Sequence, residues 1–260
     1  MDKSFVFDQP QQAEFMQRRR EFLGQHLPQW RQELGLRTAL DVGCGVGHFS
    51  AFLRDAGFTV TGVDGREENI AEARSRHTGI DFRVADAEDP HLSALGEFDL
   101  VLAFGLLYHL ENPFRAMRNL HGLTGKLLLV ESLFVPGEVP MLLLLDEYAV
   151  HDQSLGGVSC YPTEGAIIKM AYRSGFPHAY RFRKYPDHEQ FRRVGERDRV
   201  RTLIAASNPE MHSPVLEAAT EPSARPDRLT EKERAGFSKL FRRLGRGFRR
   251  PAPPAPSDRR

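Results

Sequence analysis

The chain has 260 residues, enough for one good-sized core with some decoration and a tight fit for two full domains. Its 36 Lys and Arg against 35 Asp and Glu leave a formal charge of +1, so the chain as a whole lacks the charge signature of a nucleic-acid binder. The two cysteines, Cys44 and Cys160, supply neither a disulfide framework nor a zinc site. Residues 1–12 lack the apolar core of a signal peptide, and the longest purely aliphatic run, 141–145, is far short of the roughly 20 residues a bilayer span needs, so a cytoplasmic protein is expected.

Residues 10–27 hold good helix formers with Phe15, Phe22 and Leu23 in a stripe, and predict a covering helix ahead of the first strand. The next stretch, ALDVGCGVGHFS at 39–50, is the most informative. It sets a glycine-rich turn directly after a short apolar strand and before a helix, where main-chain N–H groups approach a ligand at the positive end of the helix. The spacing of Gly43, Gly45 and Gly47 is one residue tighter than that of dinucleotide binders. Asp41, two positions before the first glycine, would repel a pyrophosphate but suits a cation. S-adenosylmethionine joins adenosine to a positively charged amino-acid portion, and the loop leans toward it. Cys44 reads as a small packing residue, because a thiol nucleophile would want a nearby His or Lys.

The second strand pattern, FTVTGVDG, ends in Asp64, at the distance where α/β nucleotide folds place their ribose-binding carboxylate. A third, IDFRVADAED, ends near Asp86, whose carboxylate suits an adenine amino group while Ala87 leaves room beside the ring. A fourth, FDLVLAF, closes on Phe104 and runs into GLLYHLENP. Helices at 47–56, 67–76 and 113–121 alternate with these strands, as in a parallel sheet. After the fifth strand, KLLLVESLF, about thirty residues from 135 to 162 exceed ordinary connections and read as a lid or substrate wall. Thr163 is expected to cap a helix through 173 without the reciprocal partner of a capping box, since position 166 is Ala. Residues 179–185 and 199–207 read as two closing strands.

On the glycine loop, the acidic strand ends and this order of elements, residues 36–208 resemble the class I S-adenosylmethionine-dependent methyltransferases. The resemblance implies an α/β doubly wound, mostly parallel seven-stranded sheet whose last strand is antiparallel. S-adenosyl-L-methionine is the implied cofactor, with Asp41, Gly43, Gly45, Gly47, Asp64, Asp86, Ala87 and Phe104 as the residues to hold it. Methyl transfer mainly needs an aligned nucleophile, because the donor is already activated. For a hydroxyl acceptor His109 is the first candidate base, with Tyr108 to orient the acceptor, although a histidine after this strand can equally serve to shape the loop. Tyr148, His151, Asp152 and Tyr161 come next, and no helical H-x-x-x-H or H-E-x-x-H metal signature is present.

A second resemblance, on GLLYHLENP and YPTEGAIIKMAYRSGF, is to the enzymes that modify the wobble uridine of bacterial tRNA by carboxymethyl transfer. Those enzymes carry a long N-terminal extension with a lysine for the extra carboxylate of their cofactor, whereas only 38 residues precede the first strand here. Plain S-adenosylmethionine is therefore expected, with a small-molecule or lipid-like acceptor favoured over tRNA. A non-catalytic binding module is the remaining alternative. Residues 209–228, rich in Pro, Ala, Ser and charge, read as a linker. In 229–260 Phe237, Leu240, Phe241, Leu244 and Phe248 share a helical face among arginines, which suits an anionic membrane surface, tRNA phosphates, a partner, or a solubilising tail.

Overall fold

The computed structural model describes residues 5–137, 139–147, 153–192 and 200–222. The basic tail and Tyr148, His151 and Asp152 lie outside the described residues.

Helix α1 (Pro10–Leu34) starts with proline at its first turn, where the missing N–H is not needed, and stops at Gly35, whose φ of 60° is left-handed. It runs past the expected end at 27 because Pro28 does not break it. A mid-helix proline costs about 3 kcal/mol. Trp30, fully buried two residues on, offsets that with about 4–6 kcal/mol of burial. Phe15, Phe22, Leu23, Leu27 and Trp30 recur at helical spacing and are buried together in one core cluster.

The chain then alternates strand and helix: β1 (Thr38–Val42), α2 (His48–Asp55), β2 (Thr59–Asp64), α3 (Glu67–Arg76), β3 (Asp81–Val84), β4 (Phe98–Phe104), α4 (Pro113–Leu123) and β5 (Thr124–Leu133). A hairpin of β6 (Leu142–Asp146) and β7 (Val158–Pro162) follows, then α5 (Glu164–Ser174), β8 (His178–Phe182), β9 (Arg201–Ser207) and β10 (Leu216–Ala218). Thr163 caps α5 as expected, its Oγ1 accepting from the N–H of Ala166 at 3.2 Å.

The main sheet runs β10-β8-β9-β5-β4-β1-β2-β3. Pairs among β1 to β5 are parallel, and β9 lies antiparallel to both β5 and β8. Buried apolar residues fill both faces. Phe49 and Leu53 of α2 join α1 in one cluster, while Met117 and Leu120 of α4 and Ile167 and Ile168 of α5 form another. The sheet is the expected doubly wound one with eight strands in place of seven. The added strand, β10, comes from the stretch read as a linker: Met211, Val215, Leu216 and Ala219 are buried, and Leu216 pairs with Phe182. Four well-spaced apolar side chains suffice to hold an edge strand within a polar composition. No helix among the described residues is long and apolar enough to cross a membrane.

Candidate active site

Chain order reverses direction across the sheet between β1 and β4, since β2 and β3 extend one way and β5 the other. Strand carboxyl ends on either side of such a switch point splay their loops apart and leave a crevice. A cavity of about 480 Å³ lies there, lined by the ends of β1, β2 and β4, by α1 and by the hairpin.

Asp41, Gly43, Asp64, Asp86, Ala87, Phe104, Tyr108 and His109 all line this cavity. Gly45 and Gly47 are not part of its wall and serve the loop's own packing. Gly47, the N-cap of α2, has φ 88°, and a Cβ there would lie 2.8 Å from the His77 ring and 2.9 Å from Phe82. A Cβ on Gly45 would meet the Phe7 ring at 2.8 Å, because the short turn at Val6–Asp8 folds over the loop.

Asp64 Oδ2 accepts from the N–H of Gly45 at 2.9 Å, and Oδ1 accepts from the N–H of Arg66 and from Asn69 Nδ2. Oδ2 thus keeps acceptor capacity at the end of β2. Asp86 Oδ1 is fixed by the N–H of Glu88 at 2.9 Å. Asp41 is buried, and Ser50 Oγ donates to it at 2.6 Å. Burial pushes its pKa from 3.8 up to about 6, with the Ser50 bond opposing. Burial also pushes the Cys44 thiol up, and the Asp41 and Asp64 charges add to the effect, consistent with a packing role.

Across the cavity His109 Nδ1 lies 2.5 Å from Glu147 Oε1, just after β6. Glu147 Oε2 accepts from the N–H groups of Gln153 and Ser154. Burial lowers the His109 pKa below its usual 6.5 against the opposing pull of Glu147. Burial would raise Glu147, but the Ser154 hydrogen bonds and His109 outweigh it and keep the carboxyl below its ordinary range. With Nδ1 turned to a carboxylate, the neutral ring carries its proton there and leaves Nε2 as the acceptor. Glu147 was not anticipated, although it lies within the segment expected to form a lid or wall. Tyr161, which was, also lines the cavity and stacks on Tyr108 with centroids 6.0 Å apart.

A second group escaped the sequence reading. Glu131, fully buried near the end of β5, accepts from Arg19 Nη1 at 2.9 Å and from Arg201 Nη1 at 2.7 Å. Arg201 Nη2 also donates to Tyr108 Oη at 3.1 Å. The signal was a lone carboxylate inside the aliphatic run KLLLVESLF.

Residues 40–126 match a family model described as a methyltransferase domain. The chain is 35% identical over 97 residues to a ubiquinone biosynthesis O-methyltransferase of Pseudomonas paraeruginosa, covering 36% of this chain and 42% of that protein. It is 37% identical over 105 residues to one of a Caulobacter species, covering 38% and 41%. The matches thus span about two fifths of these relatives' length. Among solved structures, the N-terminal domain of EvdMO1 with SAH bound superposes with a TM-score of 0.57 at 19% identity, over 74% of this chain and 80% of that one. Magnesium protoporphyrin IX methyltransferase of Synechocystis with bound SAM gives 0.51 at 20% identity, over 80% and 87%. Residues 40–126 thus match a methyltransferase domain, and the sheet, with its switch-point crevice and the glycine loop that heads it, has the fold of these SAM- and SAH-bound methyltransferase structures.

Proposed function

We propose that this protein methylates a hydroxyl oxygen of a small-molecule acceptor, using S-adenosylmethionine as donor and His109 as the base that takes the hydroxyl proton. The observation that carries the reading is the 2.5 Å contact between His109 Nδ1 and Glu147 inside the same cavity as the glycine loop, Asp64 and Asp86. The O-methyltransferase names of the relatives support an oxygen acceptor, and the cavity volume of about 480 Å³ supports a small one.

The residues present fit the cofactor. Asp64 offers an acceptor for ribose hydroxyls, Asp86 and Ala87 flank the place for a purine, and a Cβ on Gly43 would come within 3.0 Å of Leu106, so the bare glycine keeps the approach open. Asp41 supplies negative charge for the cationic amino-acid portion. S-adenosylmethionine, when bound, provides a methyl group already activated on a sulfonium. The protein's share is alignment and one proton: Glu147 holds the imidazole with Nε2 as acceptor, and Nε2 takes the proton as the acceptor oxygen gains the methyl.

The test is methyl transfer from S-adenosylmethionine by the full chain to a panel of phenols and aliphatic alcohols, with products read by mass spectrometry. His109→Gln should lower turnover by about 10²–10⁴ while cofactor affinity holds within a few fold. A folded His109→Gln enzyme with near-normal turnover would remove the base.

A further inference from the structure

We propose that the acceptor carries a carboxylate beside the hydroxyl it presents to His109, and that Arg19, Arg201 and Tyr108 form the subsite that receives it. This rests on the methyl-transfer reading above. In the sheet order, Arg201 at the start of β9 lies on the opposite side of the switch point from Asp64 and Asp86. A nucleoside held at β2 and β3 therefore leaves the β4, β5 and β9 side of the cavity for the acceptor. Tyr108 precedes His109 directly, and their rings lie 4.2 Å apart, so a group held by Tyr108 lies close to the base.

The charge balance singles this place out. Two guanidiniums, 6% and 9% exposed, share the single carboxylate of Glu131, and arginine stays charged at any working pH. The two guanidiniums are set over Phe15, 3.9 Å from Arg19 and 4.8 Å from Arg201, so the excess positive charge is held out of bulk water. Asp41 also feels Arg19 and offsets part of this charge at neutral pH, but its hydrogen bond is from Ser50, and it does not occupy the free donors of either guanidinium. Docking α1 onto the sheet needs one arginine for one glutamate. At Arg201 burial is outweighed by Glu131 and Tyr108, which hold it charged, whereas burial lowers the Arg19 pKa, so the uncompensated desolvation falls on Arg19.

Donors remain as well. Arg19 commits Nη1 to Glu131, while its Nη2 has only the Met16 thioether at 3.8 Å. Arg201 directs Nη1 to Glu131, Nε to Gln190 and one N–H of Nη2 to Tyr108. Tyr108 Oη accepts that bond, which leaves its own proton to donate. Arg19, Tyr108 and Arg201 all line the cavity. The Nε–Nη2 edge of Arg19, the remaining Nη2 N–H of Arg201 and the Tyr108 phenol can together serve the two oxygens of a carboxylate.

The experiment is calorimetric titration of the full chain, saturated with S-adenosylhomocysteine, with 3-hydroxybenzoate and with its uncharged partner 3-hydroxybenzamide. The benzoate should bind about tenfold or more tightly than the amide, and Arg19→Gln should erase that preference while S-adenosylhomocysteine affinity and the circular dichroism spectrum hold. Equal binding of the two probes, no binding of the benzoate at millimolar concentration, or a preference that survives in Arg19→Gln would overturn the proposal. Should Arg19→Gln not fold, Arg201→Lys keeps the charge but loses the fork. It should narrow the preference at least threefold, and an unchanged preference there overturns the subsite. A preserved preference without methyl transfer to any hydroxyl would sink the proposed reaction and leave the anion subsite standing.

Discussion

Ser50, in the first turn of α2, donates a 2.6 Å hydrogen bond to Asp41 at the end of β1, so the carboxylate before the glycine loop is anchored by the helix that follows it. Burial raises the Asp41 pKa from 3.8 to about 6 despite that bond. A raised folded-state pKa favours the protonated form: the stability it contributes is fully present below pH 3.8 and is lost as pH rises through about 6. At neutral pH the ligand-free protein carries a buried charge costing up to about 3 kcal/mol. Asp41→Asn should therefore raise the melting temperature of the ligand-free protein at pH 7.5 and weaken S-adenosylmethionine binding. Binding to the wild type at pH 6 should release protons, seen as a heat that changes with the ionisation enthalpy of the buffer. A buffer-independent heat would show that Asp41 does not face the cationic end of the ligand.

Asp64 joins three donors, Gly45, Arg66 and Asn69, at one strand end, and so ties the loop after β1 to the turn after β2. Asp64→Ala should weaken S-adenosylmethionine about ten- to hundredfold, the equivalent of one charge-assisted bond of about 1.5–3 kcal/mol. Calorimetry on the variant decides it. Unchanged affinity in a folded protein would take Asp64 out of the ribose site.

The acid limb of the pH–rate profile reports His109. Burial holds its pKa below 6.5, so the imidazole is mostly neutral at pH 7 and turnover should fall only as pH drops through that lower pKa. Removing the opposing charge with Glu147→Gln should move the limb to still lower pH, while the plateau falls about tenfold or more because the ring loses its orienting partner. A limb that stays in place, or moves up, would show that another group titrates there.

The parts of the site legible in the sequence were those in which neighbours in the chain are neighbours in space. The glycine loop, Asp64, Asp86 and Ala87 each sit at or just past the end of a strand marked by its own apolar pattern, and of the residues expected to hold the cofactor all but Gly45 and Gly47 reach the cavity wall. Arg19, Glu131 and Arg201 are separated by 112 and 70 residues, and no local period relates a helix, a central strand and an antiparallel strand. Glu147 was hidden for a similar reason, since its partner His109 lies 38 residues earlier on another element. Around β10 the polar composition outweighed four apolar residues, Met211, Val215, Leu216 and Ala219, whose burial depends on tertiary contacts, Leu216 pairing with β8.

Gly47 and Gly79 both hold left-handed backbone, with φ of 88° and 76°, yet their surroundings differ. A Cβ on Gly79 meets nothing within 4 Å, whereas one on Gly47 would press on His77 and Phe82 at 2.8 and 2.9 Å. Replacing either by alanine incurs the left-handed penalty of about 1–2 kcal/mol. Only Gly47→Ala adds overpacking, about 1–3 kcal/mol more, because Phe82 is buried against Ile70 and Ala73 and has little room to retreat. Urea denaturation of the two variants should therefore show Gly47→Ala the less stable by that difference, with unchanged m-values. Equal losses would mean that Phe82 repacks at no cost, and that Gly47 is required for its backbone angle alone.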